Sequence, residues 1–264
     1  MALDYPALLA DLQATSDQLL ACLETLGPEQ WSADTPAPSW TIHDQVTHLA
    51  YFDDATLLSL TAPSELRSVA DGLMAEGMDF PDRLVAQYRT MAPAAVLRWF
   101  SDSRRKLLAA LAGDDPKRRL PWFGPDMSVA SSATARLMET WAHGRDVYDT
   151  LGLTPAPSSG LRSIAHLGVA TFAFSHLHHG LSVPDAAVRV ELTSPDGARW
   201  TWGPDGATDR IIGDAQDFVL VVTQRRHWTE TGLTVTGEVA TGWLDIAQAF
   251  AGAPSRRLPA AVQA

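Results

Sequence analysis

The sequence predicts a mainly α-helical protein with an α+β carboxy-terminal part, and three observations support this fold class. Apolar residues recur at helical spacing through most of the chain before residue 155. Residues 151–160 then form a linker of proline, glycine and other small residues. Alternation of apolar and polar residues, typical of β-strands, begins only near residue 187. We therefore expect a helical bundle over residues 1–155, and a linking helix with a small α+β domain over residues 156–264.

The first two long helices are predicted from leucine spacing and from a helix-start motif. Leucines at helical intervals predict a helix over residues 5–26, which a Gly-Pro pair ends. Residues 31–38 contain two prolines and predict a loop. Thr41 and Asp44 have the spacing of a capping box, so a second helix is expected from there to about residue 60.

The remaining bundle helices are separated by segments that are harder to assign. Residues 64–80 combine acidic residues, glycines and methionines, and the sequence leaves open a short helix or a flap. Helical periodicity returns over residues 81–91 and 94–112. Residues 120–128 are too rich in proline and glycine for a helix or a central strand. They run directly into the helix that carries Glu139.

The carboxy-terminal part is predicted to begin with one helix over residues 161–179. Two alternating segments joined by a Pro-Asp-Gly turn then predict a hairpin. In order, we expect strands at 188–192, 199–202, 210–212 and 233–236, and helices at 214–226 and 243–250.

Composition narrows the class of protein. The chain has 264 residues, 46% of them hydrophobic, and is too apolar to be disordered. Its formal net charge of −11 argues against a nucleic-acid partner. The single cysteine, Cys22, has no partner for an internal disulfide. No leader-like segment opens the chain and no apolar run is long enough to span a bilayer, so we expect a cytoplasmic protein without a membrane partner.

Glu139 and His143 are the first candidates for a functional site, because they are one helical turn apart and share a helix face. Apolar neighbours predict that this face is partly buried, where a charge needs a partner. Alone, the two residues would be read as an ordinary Glu–His pair. His48, on the second helix, would alone be read as a core histidine. Together they form a set of two imidazoles and one carboxylate, which suits zinc or another divalent first-row metal and leaves a coordination position open.

Two motifs extend this hypothesis to a family. Residues 40–49 read Trp-Thr-Ile-His-Asp-Gln-Val-Thr-His-Leu, and residues 139–147 read Glu-Thr-Trp-Ala-His-Gly-Arg-Asp-Val. With this spacing the chain resembles the DinB-like metal-binding superfamily, and within it the actinobacterial branch related to mycothiol-dependent maleylpyruvate isomerase. The resemblance covers nearly the whole chain. It implies a DinB-like four-helix bundle followed by a small sterol-carrier-like domain, and a divalent metal, usually zinc, held by His48, Glu139 and His143.

The chemistry expected of such a metal is the generation of a nucleophile. Two neutral imidazoles and one carboxylate leave a dication with positive charge, which lowers the pKa of bound water to roughly 7 or holds a thiol as thiolate. The resemblance implies a thiolate from mycothiol or a similar thiol cosubstrate, and isomerase or S-transferase chemistry on a small electrophile. The alternatives are a metal enzyme that uses no thiol, in a cyclisation or elimination, and a non-enzymatic carrier of a small apolar ligand with a structural metal. The sequence leaves a monomer or a homodimer open.

Two charged residues on the same helix are candidates to support the site. Asp146, three residues after His143, is placed to accept the second ring proton of a ligand histidine. Arg136, three residues before Glu139, is placed to hold a substrate carboxylate or to neutralise Glu139. For each, the alternative is an ordinary surface charge.

The aromatic segment before this helix supplies candidate pocket walls. Trp122, Phe123 and Met127 are expected to pass over one end of the bundle close to the metal, or to form a hydrophobic lid that closes the bundle. The chain also departs from the isomerases, for which the family implies a catalytic arginine in the small domain. Residues 243–247 contain none, which argues against maleylpyruvate as the substrate and leaves the metal site unaffected.

Overall fold

The structure is a computed structural model that describes residues 4–259, and the chain forms two compact units. The first unit ends at Ser158 and the second begins at Ser159. The first unit is mainly helical, whereas the second combines helices with a four-stranded sheet. The predicted fold class, mainly α with an α+β carboxy-terminal part, is confirmed. Within residues 4–259, no helix is both long and apolar enough to cross a membrane.

The first unit is a four-helix bundle with additional short elements. The long helices α1, α3, α6 and α7 pack in a ring in which each contacts two others. Its elements are α1 (Tyr5–Leu23), α2 (Pro28–Trp31), α3 (Ile42–Thr61), α4 (Pro63–Ala75), α5 (Phe80–Gln87), α6 (Pro93–Ala112), β1 (Arg119–Trp122), β2 (Gly124–Ser128) and α7 (Val129–Leu151).

The bundle is held by apolar side chains, most of them from its long helices. Burying a valine, leucine, isoleucine or phenylalanine side chain from water contributes about 1.5–3 kcal/mol before entropy is counted. The central cluster of buried residues contains Leu19, Leu23, Trp31, Ile42, Val46, Leu49, Ala50, Val96, Phe100 and Val147.

The starts of α3 and α7 are fixed by side-chain caps. Thr41 accepts a hydrogen bond from the backbone N–H of Asp44, and the Asp44 carboxylate accepts from the backbone N–H of Thr41. This is the capping box that the sequence predicted. At α7, Ser128 accepts from the backbone N–H of Ser131, and Gly152 ends the helix with φ 65°. A left-handed residue after a helix favours glycine, so both ends of α7 are encoded locally.

Four segments of the first unit differ from the predicted bounds. The first helix ends at Leu23, three residues early, and the helix that begins at Phe80 ends at Gln87. Most of the unassigned segment 64–80 is helix α4, because Pro63 occupies the first helical turn where its missing N–H costs nothing. Residues 119–128 form an antiparallel hairpin.

This hairpin tolerates proline because a two-stranded ribbon has only edge strands. The Pro121 carbonyl accepts a hydrogen bond of 2.7 Å from the hydroxyl of Ser59 on α3. That bond attaches the hairpin to the bundle.

The second unit contains the four predicted strands in one sheet of order β4-β3-β5-β6. Strands β3 and β4 form the predicted antiparallel hairpin, β5 runs parallel to β3, and β6 runs antiparallel to β5. Its elements are α8 (Leu161–Ala170), α9 (Phe172–His178), β3 (Val188–Thr193), β4 (Arg199–Trp202), β5 (Asp209–Asp214), α10 (Ala215–Val222), a 3-10 turn (Trp228–Glu230), β6 (Thr234–Thr236) and α11 (Glu238–Leu244).

The helices of the second unit were predicted less accurately than its strands. The helix expected over 161–179 is divided at Thr171, whose hydroxyl donates to the Gly168 carbonyl and competes with the backbone ladder. The closing helix expected over 243–250 begins instead at Glu238 and ends at Leu244. Its first turn is held by the Asp209 carboxylate of β5, which accepts from two backbone N–H groups. A contact so distant in sequence has no local signal.

Candidate metal centre

Three predicted site residues from two helices meet inside the bundle. His48 lies on α3, and Glu139 and His143 lie on α7. The Nε2 atoms of His48 and His143 are 3.5 Å and 3.0 Å from the same Glu139 oxygen, Oε2. Among residues 4–259, this is the one group of three or more histidine, cysteine, aspartate or glutamate side chains whose possible ligand atoms all lie within 4.8 Å of one another. Ligands bonded to zinc at about 2.0–2.1 Å in a tetrahedron are themselves about 3.3 Å apart, so the spacing suits a metal.

The electrostatics of the cluster favour the protonation states that bind metals. Burial lowers the pKa of His48 to about 4, with His143 and Arg136 acting in the same direction and Glu139 opposing them. The ring of His48 is therefore neutral near pH 7. Burial alone would raise the pKa of Glu139, but the adjoining rings of His143 and His48 and the charge of Arg136 hold it well below its usual value. The carboxylate is therefore ionised.

The second ring nitrogens of the two histidines have different surroundings. Nδ1 of His143 contacts the side-chain oxygen of Gln45 on α3. Nδ1 of His48 is buried and has no hydrogen-bond partner in the part of the chain that the structure describes. Asp146 is also buried on α7, and its role at a ligand histidine stays a prediction. Gln45 was missed, although it lies three residues before His48 and shares its helix face.

Two aromatic rings that sequence reasoning did not select line the centre. The Trp40 ring is stacked on His143, with centroids 5.7 Å apart and planes at 15°, and is 5.3 Å from His48. The Phe52 ring lies 4.5 Å from His48. Phe52 is one turn after His48, so its position was readable from the helix. These apolar rings keep water away, which strengthens the electrostatic interactions among the polar groups of the site.

Arg136 is buried beside the cluster, which excludes the alternative of a solvent-exposed charge. Its guanidinium carbon is 5.7 Å from the Phe52 ring centre and 5.8 Å from that of Trp122. Nη1 of Arg136 is 4.0 Å from the Asp53 carboxylate, and among residues 4–259 it has no hydrogen-bond partner. Burial lowers the pKa of this guanidinium, with the charges of Glu139 and Asp53 opposing the shift.

The three residues predicted as pocket walls, Trp122, Phe123 and Met127, lie in different places relative to the candidate metal centre. Trp122 is half-buried at 6.1 Å from the Phe52 ring and reaches the centre through it. Phe123 is buried 5.4 Å from Phe52 and is stacked on Phe80 at 5.2 Å, so it belongs to the apolar cluster under the hairpin. Met127 is partly buried on β2. Of the three, Trp122 is placed best to line a pocket at the metal centre.

A second buried polar cluster lies next to the first. Arg104 on α6 donates to both oxygens of Asp53, at 2.7 Å and 2.9 Å. It also donates to the hydroxyls of Thr140, at 2.9 Å, and Ser16. Burial raises the pKa of Asp53, while the charge and hydrogen bonds of Arg104 oppose the shift. This cluster links all four long helices of the bundle, α1, α3, α6 and α7.

Comparison with known proteins gives relatives along almost the whole chain. Two uncharacterized proteins of Mycobacterium tuberculosis, one from strain CDC 1551 / Oshkosh and one from strain ATCC 25618 / H37Rv, are each 42% identical to it over 248 residues. The alignment covers 94% of this chain and 96% of each relative.

Solved structures with a similar fold include the mycothiol-dependent maleylpyruvate isomerase and a histidine-to-alanine mutant of it. Their TM-scores are 0.59 and 0.60, each at 16% identity, and the match covers 88% of this chain and 93% of theirs. At that identity the likeness shows a shared fold and nothing about the reaction. It confirms the fold that the two motifs implied.

The bundle itself matches a described family. The match covers residues 12–148, slightly more than half of the chain, and includes His48, Glu139 and His143. The motifs had indicated the same relationship. The chain therefore belongs to the family described as the mycothiol maleylpyruvate isomerase N-terminal domain.

Proposed function

We propose that this chain is a metal-dependent enzyme whose bundle holds one divalent cation, most readily zinc, at His48, Glu139 and His143. The observation that carries the proposal is that both Nε2 atoms face one carboxylate oxygen, at 3.5 Å and 3.0 Å. Two imidazoles and a carboxylate are a donor set that zinc accepts, and three protein ligands leave a coordination position for a reactant. The residues present therefore fit the cation.

The cation would supply a nucleophile near neutral pH, either a thiolate or a hydroxide. The chain's own residues then set the surroundings. Trp40 and Phe52 exclude water from two sides of the centre. Arg136 offers a buried positive charge to an anionic group of the substrate, and Trp122 lies over its guanidinium. Met127 and Asp146 are proposed to support the pocket from the hairpin and from α7.

We further propose that the nucleophile is the thiolate of mycothiol or a similar small thiol, as the names of the structural relatives suggest. Addition to an activated double bond forms a C–S bond and moves the π electrons onto the activating carbonyl group. The carbon–carbon bond is then single and can rotate. Reversal restores the double bond, expels the thiolate and gives the isomer. Protonation of the adduct instead gives an S-conjugate, so one site serves an isomerase or an S-transferase.

The proposed substrate is a small molecule, and the proposed location is the cytoplasm. The net charge of −11 opposes nucleic acid as a substrate. The residues expected to matter for catalysis lie within one bundle, so the site is compatible with a monomer or a homodimer.

The first experiment measures zinc content and turnover in the wild type, His48→Ala and His43→Ala. His43 is a matched control because it is also a buried histidine on α3, bonded to the Met91 carbonyl at 2.9 Å. We expect about one zinc per chain in the wild type and His43→Ala, and none in His48→Ala, which should stay folded because the bundle core is apolar. Zinc retained by His48→Ala would refute the metal site.

The second experiment screens small electrophiles with and without mycothiol, before and after chelation. Turnover that needs both zinc and the thiol supports the proposal. Turnover that needs only zinc identifies the enzyme without a thiol. Absence of turnover, together with melting on chelation and a retained apolar ligand, identifies the carrier.

A further inference from the structure

We propose that Gln45 is a positioning residue that selects the tautomer of His143 through a hydrogen-bond chain anchored on a backbone carbonyl. The inference rests on the metal site proposed above. In this role, Gln45 keeps the proton of His143 on Nδ1, so that the lone pair on Nε2 faces the cation.

The chain of hydrogen bonds has a fixed direction because it begins at a group that only accepts. The Trp40 carbonyl accepts from the Thr35 hydroxyl at 2.7 Å. That hydroxyl has one proton, so toward Gln45 it is an acceptor, and the Gln45 amide nitrogen donates to it at 2.8 Å. The amide oxygen of Gln45 is thereby turned toward Nδ1 of His143, which must carry the proton.

This direction decides what His143 presents to Glu139. With its proton on Nδ1, a neutral ring turns an Nε2 lone pair toward a carboxylate oxygen 3.0 Å away. Two acceptors in contact repel each other unless a cation lies between them. If the Gln45 amide were reversed, its N–H would face Nδ1 and favour the tautomer protonated at Nε2. That proton would bond to Glu139 and occupy the place of the metal.

Burial makes the selection effective. Gln45 is fully buried and Thr35 partly buried, so bulk water does not readily replace either bond. His48 has no comparable hydrogen-bond chain, since its Nδ1 has no hydrogen-bond partner within residues 4–259. The two ligand histidines are therefore oriented differently, and a change at Gln45 should affect His143 alone.

The test compares zinc affinity and histidine-ring spectra in Gln45→Leu, Gln45→Glu and Thr35→Val. A matched control is Gln248→Leu, because Gln248 is also a fully buried glutamine and bonds only within the second unit. Zinc affinity is measured by competition with a chelator. The ring N–H protons are observed by nitrogen-15 correlation spectra of zinc-loaded protein with labelled histidine.

We expect Gln45→Leu to bind zinc about 10–100-fold more weakly and to lose one slowly exchanging ring N–H signal. Gln45→Glu keeps an acceptor for Nδ1, so its affinity should stay within about threefold of the wild type and the signal should remain. Gln248→Leu should change neither property. If Gln45→Leu does not fold, Thr35→Val should still weaken zinc binding, by about threefold to tenfold, because it frees the amide to reverse.

Unchanged affinity and an unchanged ring signal in Gln45→Leu, or equal losses in Gln45→Leu and Gln45→Glu, would overturn the role of Gln45 while leaving the metal site intact. If Gln45→Leu does not fold, unchanged zinc affinity in Thr35→Val would overturn it equally. A wild type that binds no zinc would overturn the proposed function itself, and this inference with it.

Discussion

Two polar clusters lie side by side inside the same bundle, and they differ in how their polar atoms are paired. In the Arg104 cluster, donors meet acceptors: the guanidinium bonds both oxygens of Asp53 and two hydroxyls. In the candidate metal centre, three possible metal ligands converge: two ring nitrogens face one oxygen of Glu139. The first cluster has its hydrogen bonds within the protein, whereas we propose that the second is completed by a cation.

We expect stability and function to depend on different polar clusters of the one core. A buried ion pair that has all its hydrogen bonds holds the helices together. Loss of one member leaves the other charge buried without its partner, in an interior that solvates charge poorly. The candidate metal ligands, by contrast, are proposed to serve chiefly to hold a cation. We therefore expect substitutions in the Arg104 cluster to cost folding free energy, and substitutions in the metal centre to cost metal binding.

The largest effect on stability is expected from Arg104→Met. Removal of the guanidinium leaves the buried Asp53 carboxylate without its hydrogen-bonded cation and with only Arg136, at 4.0 Å, nearby, which should lower the free energy of unfolding by about 3–5 kcal/mol. Urea denaturation measures the change. Pairing Arg104→Met with Asp53→Leu should recover part of the loss, because the unpaired charge is then removed as well.

The control for this prediction is the next residue in the chain. Arg105 forms an exposed ion pair with Asp102 at 3.1 Å, and its loss should change stability by less than about 0.5 kcal/mol. If Arg104→Met were no more costly than Arg105→Met, the distinction between the two clusters would be lost.

The two clusters also differ in how far the sequence predicts them. Glu139 and His143 are one turn apart on one helix, so their shared face follows from local geometry. The capping box at Thr41 fixed the start of α3 and hence the face of His48. Convergence of the two helices was supplied by the family resemblance, since no local rule places residue 48 against residue 139.

Other features depended on contacts that no local pattern encodes. The Asp53–Arg104 pair joins residues 51 positions apart. The contact between Gln45 and His143 depends on how α3 packs against α7. The bounds of α11 depend on the Asp209 carboxylate of β5. Helix spacing predicts which residues share a face, but packing decides which partner each one meets.

A second prediction concerns acid stability of the metal-free protein. The folded pKa of His48 is about 4, mainly because burial disfavours the charged ring, whereas an exposed histidine titrates near 6.5. Between these values the unfolded chain binds a proton that the folded chain does not. The free energy of unfolding should therefore fall as pH drops from about 6.5 to 4, by up to about 3 kcal/mol, and this group should contribute no slope above pH 7.

The measurement is urea denaturation from pH 4 to 8 for the metal-free wild type and His48→Gln. The difference between the two should carry the predicted slope. His166→Gln is the control, because His166 is exposed and lies in the second unit. An equal slope in the wild type and His48→Gln would show that His48 is not held as a buried neutral ring.

The smallest effect, and the sharpest division between the clusters, is expected at Arg136, which lies between them. Arg136→Lys keeps the charge near Asp53 and Glu139 but loses the planar contact with Phe52 and Trp122. Because lysine cannot form the paired hydrogen bonds that a guanidinium makes to a carboxylate, KM for an anionic electrophile should rise about tenfold. The lost ring contacts should lower the free energy of unfolding by about 0.5–2 kcal/mol, and zinc affinity should change little.

The charge of the substrate makes this prediction specific. A neutral electrophile of similar size should show nearly the same KM in Arg136→Lys and the wild type, because its binding does not use the guanidinium. Arg145→Lys on the same helix is the control, since Arg145 pairs with Asp149 at 2.8 Å. If KM rose equally for neutral and anionic electrophiles, Arg136 would be a structural charge like Arg104 and would not bind the anionic group of the substrate.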